Sequence, residues 1–259
     1  MENILLNDLN INIYQPKKIK ASIVFTHGIA EYSKSYHEIA TFFMSNDFLV
    51  ITYDLRGHGR TKGKRGYVKS YQVLLDDLDN LVKLAKKYNE NVFLVGHSLG
   101  GVITNTYVSL NNNVSGVIIS SSPTTYLKQL KAFKNIPKFL INWKKINTWF
   151  EDPSLLHENN YQVDSFDLKY FKIKYVSEAL IKGMKVLINN TANYKTPILM
   201  FYSKKDKLSD INYGQSFYHK ISSEDKQLII LEESYHNVFN DIEKEYIFDE
   251  MLKWLNKRI

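Results

Sequence analysis

The sequence predicts an α/β fold, with a mostly parallel central sheet and helices on both of its faces. Several short apolar runs show no polar alternation, which is typical of strands covered on both sides. Amphipathic segments with a period of about 3.6 residues separate many of these runs. One run, residues 92–95, leads through a glycine-containing turn directly into a helical pattern. These observations predict strands and helices that alternate around one sheet.

The composition indicates one globular domain with a substantial insertion. With 259 residues, of which 44% are hydrophobic and 24% charged, the chain is long enough to bury a sizeable core and too short for two comfortable domains. The absence of cysteine excludes disulfides, thiolate metal sites and a cysteine nucleophile.

The charge and the apolar runs bear on location and partners. The first residues hold no apolar run long enough for a signal peptide, and no later run approaches the length of a membrane-spanning helix. We therefore expect a cytoplasmic protein. A formal net charge of +7 permits attraction to anionic membranes or to nucleic acid, but charge alone establishes neither. We expect no nucleic-acid partner, and the choice between monomer and homo-oligomer stays open.

The elements follow in chain order from an edge hairpin. Residues 3–14 alternate loosely around asparagine-containing breaks, which predicts antiparallel strands at the edge of the sheet. Ser70 is the predicted N-cap of an amphipathic helix with apolar positions up to Ala85. Asn240 and Glu243 predict a capping box for a C-terminal helix. Buried strands are predicted at residues 21–26, 48–53, 92–95, 114–120, 198–202 and 227–231.

Ser98 lies in the predicted turn between a strand and a helix. Gly96 and Gly100 flank it in the pattern G-x-S-x-G and leave the turn without Cβ atoms where the two backbones nearly touch. The serine oxygen is thereby directed toward solvent. A serine hydroxyl is a poor nucleophile at neutral pH, so catalysis at Ser98 requires a histidine base and a carboxylate that orients this base.

Two other predicted strands end in loops with a characteristic amino-acid sequence. One loop reads H-G-I-A-E-Y-S from His27, and the other reads D-L-R-G-H-G-R-T from Asp54. Together with the G-x-S-x-G turn, they resemble the α/β-hydrolase superfamily, and within it the monoacylglycerol lipases and lysophospholipases, whose domain is of the serine aminopeptidase S33 type. His27 and His58 are interpreted as structural residues of these glycine-rich loops.

The resemblance implies an α/β-hydrolase fold with a catalytic triad. The matching acid is Asp206, just past a predicted strand, and the matching base is His236, just past the last strand. Asp210 is the alternative acid, but a role as helix N-cap explains it sufficiently. The backbone N–H groups of Ile29 and Leu99 would form the oxyanion hole. No metal or organic cofactor is implied.

The β/α alternation stops between the strands at 114–120 and 198–202. Segment 124–193 is rich in aromatic residues and lysines and is predicted to be a cap inserted into a hydrolase core of residues 1–123 and 194–259. It holds 11 Lys against 6 Asp plus Glu, so it carries much of the net charge. Its basic amphipathic part could rest on an anionic membrane, or its apolar side could cover the core while the lysines stay in solvent. The lysines of this part are Lys128, Lys131, Lys134 and Lys138.

The sequence favours a carboxylic ester hydrolase that acts on a lipid with one acyl chain, either a monoacylglycerol or a lysophospholipid. His236 would take the proton of Ser98 during attack on the ester, and water would then release a fatty acid from the acyl-enzyme. Alternatives are a prolyl-aminopeptidase-like peptidase, a short-chain general esterase and a non-catalytic binding protein on the same fold. A peptidase would require an acidic cluster in the cap, and the basic excess of the cap argues against it.

Overall fold

The computed structural model describes residues 1–127, 141–148 and 164–259. Helices and strands alternate along most of this part of the chain. The strands are β1 (Glu2–Leu6), β2 (Leu9–Tyr14), β3 (Ala21–Thr26), β4 (Phe48–Tyr53), β5 (Val92–His97), β6 (Gly116–Ser120), β7 (Lys145–Asn147), β8 (Tyr170–Lys172), β9 (Ile198–Ser203) and β10 (Lys226–Leu231). The α-helices are α1 (His37–Ser45), α2 (Tyr71–Lys86), α3 (Leu99–Leu110), α4 (Ile173–Val176), α5 (Met184–Asn189), α6 (Ile211–Lys220) and α7 (Lys244–Asn256).

Eight of these strands form one sheet, in the order β1-β2-β4-β3-β5-β6-β9-β10. The pairs β1/β2 and β2/β4 are antiparallel, and all other neighbours in this sheet are parallel. The prediction of a mostly parallel sheet with an antiparallel hairpin at one edge is therefore confirmed.

Helices cover both faces of this sheet, which explains the unbroken apolar runs. Successive residues of a strand point to opposite faces. Val24 and Leu94 accordingly pack in one core cluster with α2 and α3, and their neighbours Ile23 and Phe93 pack in a second cluster with α1 and α7. All four side chains are fully buried. Each residue of the central strands thus faces an apolar layer, so alternation with polar residues is absent.

The N-terminus of α2 is held by a residue that is distant in sequence. Ser70 stands directly before the helix, as expected, but its side chain makes no capping hydrogen bond. The Tyr71 N–H instead donates to Oε2 of Glu178, over 3.3 Å. A buried carboxylate near the positive end of the helix dipole satisfies the free amide and interacts favourably with the dipole. Ser70 therefore has the predicted N-cap position, and only the capping hydrogen bond of its side chain is absent.

The capping box predicted at Asn240 and Glu243 is also absent. Glu243 directly precedes α7, and its carboxylate accepts hydrogen bonds from the N–H groups of residues 232–234 and from the Ser234 hydroxyl. These bonds satisfy amides of the loop after β10, so the carboxylate ties this loop to α7 rather than capping the helix.

The chain between β6 and β9 contains elements outside the main sheet. Strands β7 and β8 form a separate antiparallel pair. Helix α4, the π-helical turn Ser177–Gly183 and α5 follow one another, and apolar residues such as Tyr175 and Leu187 are buried in the core cluster that includes α2 and α3. The basic segment around Lys128 to Lys138 lies outside the described residues. Segment 124–193 as a cap stays a prediction. Among the helices of the described ranges, none combines the length and apolar character needed to span a bilayer.

Candidate active site

The topology brings three loops together at one edge of the sheet. Strand β5 lies beside β3 on one side and β6 on the other, and β6, β9 and β10 follow in parallel. The carboxyl ends of parallel strands meet at the same edge, where ligands bind in open α/β sheets. Ser98 follows β5, Asp206 follows β9 and His236 follows β10, so all three lie at this edge.

The turn at Ser98 is sharp and tightly enclosed. Ser98 adopts φ 49° and ψ −116°, in the left-handed range that non-glycine residues rarely occupy. A Cβ atom at Gly100 would lie 2.0 Å from the Thr26 carbonyl oxygen, and one at Gly96 would lie 2.7 Å from the Gly100 carbonyl oxygen. Strand and helix therefore approach so closely that both flanking positions require glycine.

A chain of hydrogen bonds connects Ser98, His236 and Asp206. The Ser98 hydroxyl lies 2.9 Å from Nε2 of His236, and Nδ1 of His236 lies 2.8 Å from Oδ2 of Asp206. Because an ionised carboxylate only accepts hydrogen bonds, Nδ1 carries the proton and donates to Asp206. In the neutral imidazole Nε2 then has a free lone pair, which accepts the hydrogen bond from the Ser98 hydroxyl.

The surroundings of Asp206 favour its charged form. Its Oδ1 accepts hydrogen bonds from the N–H groups of Leu208 and Ser209, over 2.8 and 2.9 Å. Burial by itself would raise the pKa of this carboxyl, but His236 and the two amides outweigh burial and hold the pKa below its ordinary value. Asp210 instead accepts a hydrogen bond from the Asn212 N–H and caps α6. The structure thus brings Asp206, and not Asp210, to the histidine.

The ring of His236 is enclosed, and its surroundings shift its pKa. His236 is 9% exposed. Burial opposes its protonation, yet the charge and hydrogen bond of Asp206, with a smaller contribution from Glu31, raise its pKa above the ordinary value. The ring of His97 packs 5.0 Å from that of His236 and is held by the Ser120 hydroxyl, 3.0 Å from its Nδ1. Burial keeps the pKa of His97 well below its ordinary value, so His97 is a neutral packing partner near neutral pH.

The loop after β3 lies against the serine. A Cβ atom at Gly28 would lie only 3.3 Å from the Cβ of Ser98. Leu99 is the first residue of α3, where N–H groups have no partner within the helix and the helix dipole is positive. In the described part of the chain, the amides of Ile29 and Leu99 are not donors in the hydrogen bonds that hold the surrounding loops. The oxyanion role of these two amides stays a prediction.

Glu31 holds this loop from inside, a role that sequence reasoning did not assign. Its Oε1 accepts hydrogen bonds from the Gly28 N–H, over 2.6 Å, and from the Tyr36 hydroxyl, over 2.7 Å. The side chain is buried, and burial raises its pKa to about 7. The sequence signal for this glutamate is its place in the H-G-I-A-E-Y-S loop, three residues after Gly28.

The same loop also contacts the chain between β6 and β9. The Leu168 N–H donates to the carbonyl oxygen of Ala30, over 2.8 Å. Ala30 itself has φ +75°, a left-handed conformation uncommon for alanine. A segment preceding β8 is thus bonded directly to the neighbour of Ile29.

His27 links the loops after β3 and β4. Its Nδ1 donates to the Gly28 carbonyl, 2.6 Å away, and its Nε2 accepts from the Leu55 N–H, 2.9 Å away. Burial lowers the pKa of His27 to about 4, so the ring is neutral near neutral pH. The ring of His58 packs edge-on, 5.2 Å from that of His27. These contacts agree with a structural role for both histidines.

The sheet, the turn at Ser98 and the loops around it define an α/β-hydrolase. Residues 17–243 match the family Hydrolase_4, described as serine aminopeptidase, S33, and the chain belongs to this family. The family resemblance seen in the sequence is confirmed. Monoacylglycerol and monoglyceride lipases are among the proteins that it resembles over about nine tenths of its length, and the chain is a carboxylic ester hydrolase.

Three similar proteins illustrate the relationship. Phospholipase YtpA of Bacillus subtilis is 28% identical over 240 residues, which cover 88% of this chain and 92% of that protein. The monoglyceride lipase of Homo sapiens is 29% identical over 261 residues, which cover 92% of this chain and 83% of that protein. The crystal structure of Paleococcus ferrophilus monoacylglycerol lipase superposes on this chain with a TM-score of 0.85 at 21% sequence identity. The superposition covers 100% of each chain.

Proposed function

We propose that this chain releases a fatty acid from a lipid ester with a single acyl chain, through an acyl-enzyme formed on Ser98. The observation that carries the proposal is the uninterrupted chain of hydrogen bonds from the Ser98 hydroxyl through His236 to Asp206. Such a chain is what a serine hydroxyl requires to act as a nucleophile at neutral pH.

The chemistry follows from the placement of the three side chains. Nε2 of His236 takes the proton of Ser98 as the serine oxygen attacks the ester carbonyl, and Asp206 stabilises the imidazolium that forms. The N–H groups of Ile29 and Leu99 bind the oxyanion of the tetrahedral intermediate. His236 returns the proton to the leaving alcohol. Water then attacks the acyl-enzyme with His236 again as base, and the fatty acid leaves.

The substrate class is supported by the relatives. One is named a phospholipase and another a monoglyceride lipase, both enzymes of lipid esters. A monoacylglycerol and a lysophospholipid share one acyl chain and one hydroxyl-bearing glycerol, and these are the substrates that we propose. We further propose that segment 124–193 is a cap that selects the acyl chain. For its residues 128–138, contact with anionic membranes stays the alternative to a segment whose apolar side covers the core while its lysines lie in solvent.

Replacement of Ser98 by alanine tests the nucleophile. Ser98→Ala should lower kcat by roughly a million-fold while leaving the fold intact, because the hydrogen-bonded residues act as a unit. Ser45→Ala, at an exposed position at the end of α1, is the matched control and should keep full activity. A fluorophosphonate should label the wild type and the control but not Ser98→Ala. Substantial turnover by the pure Ser98→Ala protein would exclude the assignment.

A substrate panel separates the alternatives within the fold. We expect the highest kcat/KM with monoacylglycerol or lysophosphatidylcholine, and lower values with p-nitrophenyl acetate and with prolyl naphthylamide. The best turnover with the acetate ester would indicate a general esterase. The best turnover with the prolyl amide would indicate a peptidase. A peptidase would require free carboxylates in the cap to bind the amino terminus of its substrate. In the described part of the insertion, Glu178 is paired with Lys174 and Lys182, and Asp164 is paired with Lys34, which argues against the peptidase.

A further inference from the structure

Three lysines, Lys64, Lys145 and Lys172, gather on one exposed surface, which we name the lysine cluster. Lys145 on β7 and Lys172 on β8 stand directly opposite each other in the antiparallel pair. Lys64 belongs to the loop after β4, two residues before Gly66, whose carbonyl accepts the Lys172 N–H. The nearby positive charge of Lys64, with that of Lys145, lowers the pKa of Lys172. Three positive charges from two separate parts of the chain therefore share one patch.

No carboxylate among the described residues neutralises this cluster, and two of its ammonium groups contact aromatic rings. Lys64 lies 5.6 Å from the centre of the Tyr67 ring, and Lys145 lies over the Tyr170 ring. Like charges directly opposite each other in an antiparallel pair are destabilising. Among the ion pairs of the described ranges, none involves any of the three lysines, and the carboxylate of Glu178 is taken by Lys174 and Lys182. Aromatic rings attract the ammonium groups but carry no negative charge, so repulsion that no described carboxylate neutralises points to an external anionic partner.

The β7/β8 pair holds the cluster in a fixed position. Its inner side carries Ile146 and Phe171, and Phe171 is only 4% exposed. The Lys172 N–H donates to the Gly66 carbonyl over 2.8 Å, and a Cβ atom at Gly66 would lie 2.8 Å from the Cα of Phe171. The outer side carries Lys145 opposite Lys172, so the charges project from a backbone anchored to the hydrolase core.

Aromatic side chains accompany these charges. Trp143, two residues before β7, is 69% exposed, and Lys144 beside it is exposed as well. The Lys145 ammonium lies 3.8 Å from the centre of the Tyr170 ring. Tryptophan and tyrosine are enriched at the interface between lipid and water, where lysines meet anionic headgroups. An outward-facing surface of this composition suits a membrane better than a small anion, which is usually bound in a concave site.

We propose that the lysine cluster and Trp143 form a docking surface for bilayers that contain anionic phospholipids. The surface is distinct from residues 128–138 and is built from described residues alone. The inference goes beyond the proposed hydrolysis and does not depend on it, since binding can be measured without turnover. A bilayer would neutralise the three ammonium groups with phosphate charges and accept the indole ring of Trp143 at headgroup level.

Vesicle co-sedimentation tests the surface. The wild-type chain should bind vesicles of an equal mixture of phosphatidylcholine and phosphatidylglycerol, bind pure phosphatidylcholine only weakly, and be released as salt screens the attraction. The triple variant Lys64→Glu, Lys145→Glu, Lys172→Glu should lose anionic binding on the order of a hundred-fold or more. Trp143→Ser should weaken binding several-fold without changing its salt dependence.

A matched variant controls for total charge. Lys17→Glu, Lys18→Glu and Lys195→Glu change the net charge equally at exposed positions near the amino ends of β3 and β9, and this variant should bind nearly as the wild type does. If the charge-reversed cluster does not fold, the variant with three Lys→Gln changes replaces it. Hydrolysis of p-nitrophenyl butyrate, a soluble ester, should be equal in cluster and control variants, which separates loss of docking from loss of the active site.

Three outcomes would overturn the proposal. The first is equal binding by the cluster and control variants. The second is loss of binding only when Lys128, Lys131 and Lys134 become glutamate, which would assign docking to the segment outside the described residues. The third is complete release of the protein from the vesicles by millimolar inorganic phosphate at constant ionic strength. That release would indicate a small-anion site.

Discussion

Two buried carboxyl groups near His236, those of Asp206 and Glu31, have opposite tendencies to ionise. Asp206 lies after β9, and its pKa is held below the ordinary value. Glu31 lies after β3, and its pKa is raised to about 7. Both side chains are almost completely buried and both accept short hydrogen bonds. The difference therefore comes from the groups that surround each carboxyl.

The comparison shows how much stabilisation a buried charge requires. Asp206 accepts two backbone N–H bonds on one oxygen and contacts the imidazole of His236 with the other. Glu31 accepts one amide and one hydroxyl, and its attraction to His236 is a weaker, longer-range effect, so burial dominates. The Asp206 carboxyl therefore stays charged beside the imidazole of His236. The pKa of the Glu31 carboxyl is about 7, and this carboxyl holds the loop after β3.

Loss of the charge on Asp206 should have the largest effect. Asp206→Asn should lower kcat by about 10⁴-fold, because an amide at this position no longer selects the tautomer in which Nε2 of His236 accepts the serine proton. Steady-state hydrolysis of a p-nitrophenyl ester measures the change. Asp210→Asn keeps a side-chain oxygen that can accept the Asn212 N–H at the start of α6, and it should cost little activity. A greater loss from Asp210→Asn than from Asp206→Asn would show that the acid is misassigned.

Removal of the Glu31 carboxyl should have the next largest effect. Glu31→Ala leaves the buried Gly28 N–H and Tyr36 hydroxyl without this acceptor, which should destabilise the fold by roughly 2 to 3 kcal/mol. The displaced loop should also lower kcat on the order of a hundred-fold, as small misplacements of catalytic groups do. Thermal unfolding and kcat check both effects. Glu31→Gln keeps an acceptor oxygen and should restore most of each, and failure of this rescue would contradict the positioning role.

The pH dependence of stability should distinguish the two carboxyl groups. The pKa of Glu31 is raised from 4.5 to about 7 on folding, so between these values the folded chain binds more protons than the unfolded chain. Stability from this group is therefore lost as pH rises toward 7, by at most about 3 kcal/mol. Glu31→Gln should remove this slope in urea titrations between pH 5 and 8. Asp206 has the opposite sign, because its depressed pKa favours folding at higher pH.

The smallest expected effect is a shift in the pH profile of catalysis. The proposed base must be neutral, so kcat/KM should rise with pH through the pKa of His236, which is raised above its ordinary value. Because Glu31 contributes to raising this pKa, Glu31→Gln should move the acid limb to lower pH. A limb that moves to higher pH, or does not move, would argue against an electrostatic contact between the two groups.

The sequence predicted the features that depend on local spacing. The strand, turn and helix around Ser98, the antiparallel hairpin and the Asp210 cap each arise from neighbours in the chain, and the structure has all of them. The positions of Asp206 and His236 were implied by the resemblance to the α/β-hydrolases, whose acid and base lie in loops past the ends of strands, and both residues do lie in such loops.

Partners that are distant in sequence could not be predicted in this way. The N-terminus of α2 is held by Glu178 instead of Ser70, a contact across 107 positions that only the packing of the insertion creates. The charge state of Glu31 depends likewise on burial, and a local sequence pattern carries no measure of burial. The lysine cluster arises because Gly66 lets β8 approach the loop after β4.

The hydrogen bond between Leu168 and Ala30 has a thermodynamic consequence. It joins the loop that precedes Ser33 to the segment that leads into β8, the strand of Lys172. A partner that anchors this segment also restrains Ala30, which is next to Ile29. Coupling between two binding events is reciprocal, so a ligand bound at the loop stabilises the segment by the same free energy. A covalent adduct on Ser98 should therefore slow proteolysis of the segment around Leu168, and membrane-bound enzyme should bind transition-state analogues more tightly than enzyme in solution.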